Sequence, residues 1–194
     1  MNQSFNLRKP VFISLFTALI AIGSYISFPI PFSPIPIVLS DFFLMLSGLC
    51  LGASGGAASV GLFLFLGAIG IPVFTGGKGG LAVFIGPTGG FLLGYLIGVY
   101  VLGLVSEKGK PSFLKDLIGL IIANLVIFGF GVPWLKLLLK LTWGTALTLG
   151  LMPFVIGNIV KTIAALALIQ VIRPFFLQIL GNSLQTRERL NEHF

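Results

Sequence analysis

Six apolar stretches, at residues 11–28, 37–51, 57–71, 87–105, 117–132 and 149–172, take up most of the 194-residue chain, each bounded by charges, prolines or glycine clusters. A helix needs about 20 mainly apolar residues to cross hydrocarbon, with roughly 17–25 tolerated. The stretches therefore predict an all-α integral membrane protein, a single compact bundle of six transmembrane helices. Only Gly52-Ala53-Ser54-Gly55-Gly56 separates the short second and third stretches, so a tight antiparallel helical hairpin is expected there. The first stretch follows Arg8 and Lys9 as a signal peptide would. It is longer than a signal core, however, and ends in Phe28-Pro29-Ile30-Pro31 rather than a small-residue cleavage site, which predicts a retained helix.

Charge narrows the function classes. Charged residues make up 9% of the chain, against about a quarter in soluble domains, which excludes an ordinary globular enzyme. A hydrophobic content of 56% excludes disorder. The net charge of +7 is thinly spread, with no basic run longer than Arg8-Lys9, so no nucleic-acid partner is expected. Cys50 stands alone and the single histidine, His193, sits at the carboxyl end, which leaves no metal site, no cofactor and no catalytic constellation to draw. Basic residues favour the cytoplasmic side of a membrane. With Arg8, Lys9, Lys108, Lys110, Lys115, Arg173, Arg187 and Arg189 on one side and Lys78, Lys136 and Lys140 on the other, both termini are expected to be cytoplasmic.

The polar exceptions point to a ligand. Lys161 falls near the middle of the last stretch, where a lysine costs about 2.5–3.5 kcal/mol on insertion scales. Asn158, three residues earlier, shares its helical face. Together they suit an anionic ligand with hydrogen-bonding edges; the alternative is a structural pairing of Lys161 with Asp41, the one acid inside an expected span. An acid in the first turn of a helix is itself favoured by the macrodipole. On the expected outer side, Pro72-Val73-Phe74-Thr75-Gly76-Gly77-Lys78-Gly79-Gly80 and Gly86-Pro87-Thr88-Gly89-Gly90 allow close backbone approach. Irregular backbone at membrane depth must be buried or line a cavity, so an outer-side ligand cavity is predicted. Lys136 and Lys140 between Trp134 and Trp143 predict a short interfacial helix. In the first stretch, Ser14, Ala18 and Ala21 lie at small-residue spacings that admit close helix approach, by default a packing face within the chain.

The string Gly86-Pro87-Thr88-Gly89-Gly90-Phe91-Leu92-Leu93-Gly94-Tyr95 resembles the signature of the biotin-specific S-components of energy-coupling-factor vitamin transporters. Pro72-Val73-Phe74 before its glycine cluster, Pro34-Ile35-Pro36, and the face shared by Asn158 and Lys161 are similar to that family as well. The resemblance implies capture of biotin on the outer side by a protein without catalysis of its own. It also implies docking through the first helix, at Ser14, Ala18 and Ala21, to a transmembrane coupling subunit in the lipid bilayer, driven by two cytoplasmic ATPase subunits. The residues expected to bind substrate are Lys161, Asn158, Asp41, Gly77, Gly79, Gly86, Thr88 and Tyr95. The family often carries an acid where Asn158 stands and threonine-leucine-glutamine where Ile-Val-Leu-Ser-Asp follows Pro36 here. The competing expectations are an S-component for another small vitamin and a stand-alone small-solute transporter. A proton path for the latter would have only Asp41 and Lys161 to use.

Overall fold

The structure, a computed structural model, describes residues 8–107 and 112–191, with side chains described as far as Phe176. Lys108, Lys110 and His193 lie outside the described residues, as do the side chains of Arg187 and Arg189. Helix α1 (Arg8–Tyr25) leads through two short antiparallel strands, β1 (Ser27–Phe28) and β2 (Ile37–Val38), into α2 (Ser40–Ala68). A loop with a 3-10 turn at Leu81–Val83 precedes α3 (Gly89–Ser106), α4 (Phe113–Leu139), α5 (Trp143–Gly150) and α6 (Met152–Asn191).

Among the described residues, four helical stretches are long and apolar enough to cross a membrane: Ser40–Ala68, Gly89–Ser106, Phe113–Leu139 and Trp143–Phe176. Most of each of the expected spans 37–51 and 57–71 falls within α2, and α1, which opens on Arg8 and Lys9, is not among the four. Yet α2 is not straight. Gly52 has φ 71° and ψ −170°, a conformation that costs little only without a Cβ. Eight residues of straight helix span about 12 Å, whereas a Cβ placed on Gly56 would lie 2.8 Å from the Cα of Gly48. The chain therefore doubles back at Gly52, and the two arms of α2 touch backbone to backbone. Glu107 Oε2 accepts the Ala53 N–H at 3.1 Å, satisfying a donor that opens the second arm.

Gly90, Gly94 and Gly98 form a four-residue stripe along α3. A Cβ on Gly94 would lie 2.9 Å from the Cα of Ile127, and one on Gly98 would lie 3.1 Å from the Ala123 carbonyl. Small residues of this kind let helices pack closely where lipid offers no hydrophobic drive between them. Helix α4 runs on through Pro133 to Lys140, which caps it in the left-handed conformation at φ 53°. The segment from Trp134 to Leu139 is thus the end of α4 rather than a separate interfacial helix, because the helix absorbs the proline that the sequence reads as a stop. Lys136 Nζ then sits 4.9 Å from the ring centroid of Trp143 at the start of α5, closing the corner.

Within the chain α1 packs through Phe16, Thr17, Ile20, Gly23 and Ser24, with the Thr17 hydroxyl 3.0 Å from the Ser59 carbonyl of α2. The default packing face is therefore displaced: Ser14 and Ala18 are exposed and Ala21 is half-buried, because the small Thr17, Gly23 and Ser24, with Phe16 and Ile20, take the inner face instead. One core cluster gathers Ile20, Leu44, Phe63, Phe74, Phe91 and Val99; another, toward the α3–α4 turn, gathers Phe16, Met45, Leu102, Leu120 and Ile169. At that second end Arg173 grips Asp116 with its two terminal guanidinium nitrogens, at 2.7 and 2.8 Å, while Ser106 bridges them. Asp116 is fully buried.

Candidate ligand-binding site

The far end of the bundle from Asp116 holds a cavity of about 960 Å³, counting the space open at its mouth. Six segments build most of it. Pro34, Ile35 and Pro36 come from the loop between the strands, Asp41 and Phe63 from α2, and Thr75 and Lys78 from the glycine-rich loop. Helix α3 adds Phe91 and Tyr95, α4 adds Asn124 and Phe128, and α6 adds Phe154 and Asn158.

The glycine-rich loop is wedged in place by one ring. Phe74 is buried between Phe63 and Phe84, edge-on to both at 5.3 and 5.6 Å, and its tip lies where a side chain on Gly67 would be. Gly76 and Gly77, both with positive φ, turn the chain so that the Phe74 N–H donates to the Lys78 carbonyl at 3.0 Å. That turn puts Lys78 at the cavity, where it is the one lysine or arginine among the described residues of the lining. The loop between the strands is tied across the mouth by Ser33, whose hydroxyl donates to the Leu149 carbonyl at 2.8 Å.

At the base of the cavity, Lys161 Nζ meets Asp41 Oδ2 at 2.7 Å and the Val38 carbonyl at 3.0 Å. Tyr95 donates its hydroxyl to the other carboxylate oxygen, Oδ1, at 2.6 Å. Asp41 and Lys161 are 8% and 7% exposed. A buried ion pair of this kind is tolerated because each charge neutralises the other and further hydrogen bonds complete both. Asn158 donates from Nδ2 to Asn124 Oδ1 at 3.0 Å, and Asn124 donates to the Leu120 carbonyl at 2.9 Å. Asn158 Oδ1 is the single buried side-chain polar atom without a partner among the described residues.

The structure thus brings Asp41, Thr88, Tyr95 and Asn158 together on the cavity wall. Lys161 stands behind that wall, already paired with Asp41. Gly77, Gly79 and Gly86 are not on the wall; Gly77 shapes the turn that presents Lys78, and the Gly86 carbonyl accepts the Trp134 indole N–H at 2.9 Å. Sequence reasoning missed Lys78 and Asn124 as site residues. Asn124 carried a usable signal, since a polar side chain in the middle of an apolar span is the same anomaly that singled out Asn158. The phenylalanines of the wall carried none, being 5 of 19 in the chain.

A sequence model described as the BioY family matches residues 1–178. The chain is 38% identical over 159 residues to the biotin transporter BioY of Thermotoga maritima, covering 82% of this chain and 92% of that one. It is 40% identical over 153 residues to the probable biotin transporter BioY of Pyrococcus horikoshii, covering 79% and 88%. Its fold is similar to a 2.1 Å crystal structure of the S-component for biotin from an ECF-type ABC transporter, with a TM-score of 0.82 and 30% identity over 90% of this chain and 95% of that one.

Proposed function

The chain belongs to the BioY family, and from that premise we propose that it is the multi-pass membrane subunit that captures biotin for ATP-driven uptake. It binds and does not catalyse. One observation carries the reading: a single cavity joins an aromatic wall to polar groups set at two separate places, Asp41, Tyr95, Asn124 and Asn158 at the base and Lys78 in the loop. Biotin has the same division, with an apolar sulfur ring, a urea edge at one end and a carboxylate on a flexible chain at the other.

In this reading the urea edge lies against Asn158 and the Asp41–Tyr95 pair, and the carboxylate meets Lys78. The pairing of Lys161 with Asp41 supports that orientation, because an ammonium already neutralised at 2.7 Å has little charge left for a second anion. Lys161 then acts by holding Asp41 and the Val38 carbonyl of β2 in place. Thr88 and the backbone around Gly77, Gly79 and Gly86 shape the rim.

Counting α1, the two arms of α2, α3, α4 and α6, the bundle crosses the membrane six times, with both termini cytoplasmic and the cavity on the outer side. The exposed Ser14 and Ala18, with the half-buried Ala21, offer α1 to a transmembrane coupling subunit, which carries two cytoplasmic ATPase subunits. Equilibrium binding of radiolabelled biotin to the detergent-purified protein tests the reading. Saturable binding displaced by unlabelled biotin, and not by riboflavin or thiamine, is expected; binding of another vitamin in its place would overturn the ligand. Copurification of an ATPase pair with the tagged protein tests the assembly.

A further inference from the structure

Asn158 lines the cavity, is 9% exposed and has an oxygen that no protein group satisfies. A buried acceptor left without a donor is destabilising, so the arrangement needs a reason to persist. The reason lies with its hydrogen-bond partner on α4. Asn124 spends its Nδ2 donor on the Leu120 carbonyl of its own helix. A carbonyl oxygen only accepts, so Asn124 cannot turn its amide over without setting two oxygens against each other. Its Oδ1 is therefore what faces Asn158, at 3.0 Å from Nδ2, and a second reversal at Asn158 would again oppose two oxygens. The Leu120 carbonyl thus dictates the direction of both amides.

We infer that Asn124 is a positioning residue that sets the polarity of this cavity wall, holding the Asn158 oxygen unsatisfied so that the wall takes a ligand N–H and rejects a ligand acceptor at the same place. An ionised carboxylate at position 158 would be an acceptor on every edge and would need no such neighbour. An amide has a donor end and an acceptor end, and only a fixed partner selects which of them the ligand meets. The inference rests on the biotin reading above, in which a ureido N–H is the donor that completes Asn158.

The test uses the full chain in detergent and two isosteric competitors of radiolabelled biotin: the cyclic carbamates in which a ring oxygen replaces one or the other ureido N–H. A site built around an N–H rejects an analogue lacking it far more strongly than a merely apolar pocket does. In the parent protein, one of the two carbamates is expected to bind at least tenfold more weakly than biotin. In Asn124→Leu, Asn158 is free to turn its NH₂ toward the ring oxygen, and the discrimination is expected to fall below threefold. Asn124→Asp, which still accepts from Asn158 Nδ2 but sets its other oxygen against the Leu120 carbonyl, is expected to retain the discrimination at a lower melting temperature. Parent protein that binds biotin and both carbamates within threefold overturns the inference and leaves the functional reading standing, and so does an Asn124→Leu variant with the parent's ratio. Parent protein that binds no biotin overturns the functional reading itself. Where the Leu variant does not fold, Asn124→Ala, which likewise removes the acceptor facing Asn158 Nδ2, gives the same reading.

Discussion

Lys161 on α6 and Asp41 at the start of α2, 120 residues apart in the chain, meet at 2.7 Å with both side chains buried. Removing one partner strands the other charge, at a cost of about 3–5 kcal/mol, whereas removing both leaves no uncompensated charge. Lys161→Met and Asp41→Asn are each expected to lower thermal stability strongly, and the double variant to lower it by less than the sum of the two. Thermal unfolding of the three variants in one detergent measures this. Strictly additive losses would mean that the two groups do not neutralise each other.

Lys78 reaches the cavity only because Gly76 and Gly77 turn the loop beneath it. A cation there discriminates between a carboxylate and its ester. The parent protein is expected to prefer biotin over biotin methyl ester by about tenfold, corresponding to about 1.4 kcal/mol. Lys78→Gln is expected to remove most of that preference while binding the ester as the parent does. A preference that survives Lys78→Gln but disappears in Lys161→Met would relocate the carboxylate to the base of the cavity.

The seat of that loop makes a separate claim. The Phe74 ring fills the space above Gly67, and the Gly67 carbonyl also accepts the Gly80 N–H at 2.7 Å. Gly67→Ala overpacks the contact, at about 1–3 kcal/mol, and is expected to push the loop outward. Biotin affinity should fall together with melting temperature. Adding Phe74→Leu returns volume to the site and is expected to recover part of both losses. No recovery in the double variant would show that the ring is not what the methyl group meets.

Much of this architecture was legible in the residues because hydrocarbon leaves few choices. Apolar stretches long enough to span announced an all-helical membrane protein, and the polar and glycine-rich exceptions drew attention to Asp41, Asn158, Lys161 and the segment that ends at Tyr95. What the residues could not express was pairing. Nothing local to Lys161 says whether its ammonium faces a guest or Asp41, because the answer depends on how α6 packs against α2. Pro133 illustrates the opposite difficulty: it reads as a helix stop, yet proline within membrane helices is tolerated where neighbouring groups re-satisfy the backbone. The Gly90, Gly94 and Gly98 stripe was present in the sequence and was hidden by abundance, since glycine accounts for 26 residues.

The second buried ion pair separates stability from binding. Arg173 and Asp116 are joined by two hydrogen bonds of 2.7 and 2.8 Å, and Ser106 donates to Asp116 at 2.7 Å, which ties α6 to α4 and to the end of α3. None of the three residues lines the cavity. Asp116→Asn keeps the shape of the side chain but strands the guanidinium, so a loss of about 3–5 kcal/mol is expected. Arg173→Gln strands the carboxylate and should cost a similar amount. Because the defect lies at the far end of the helices, biotin affinity measured well below the melting temperature is expected to stay within about threefold of the parent's, a shift of roughly 0.7 kcal/mol. Thermal unfolding and equilibrium binding on the same samples check both halves. A tenfold loss of affinity in protein that is still folded would show that the cluster is coupled to the cavity along α6, on which Arg173 and Asn158 both sit, and would contradict the division drawn here between the two ends of the bundle.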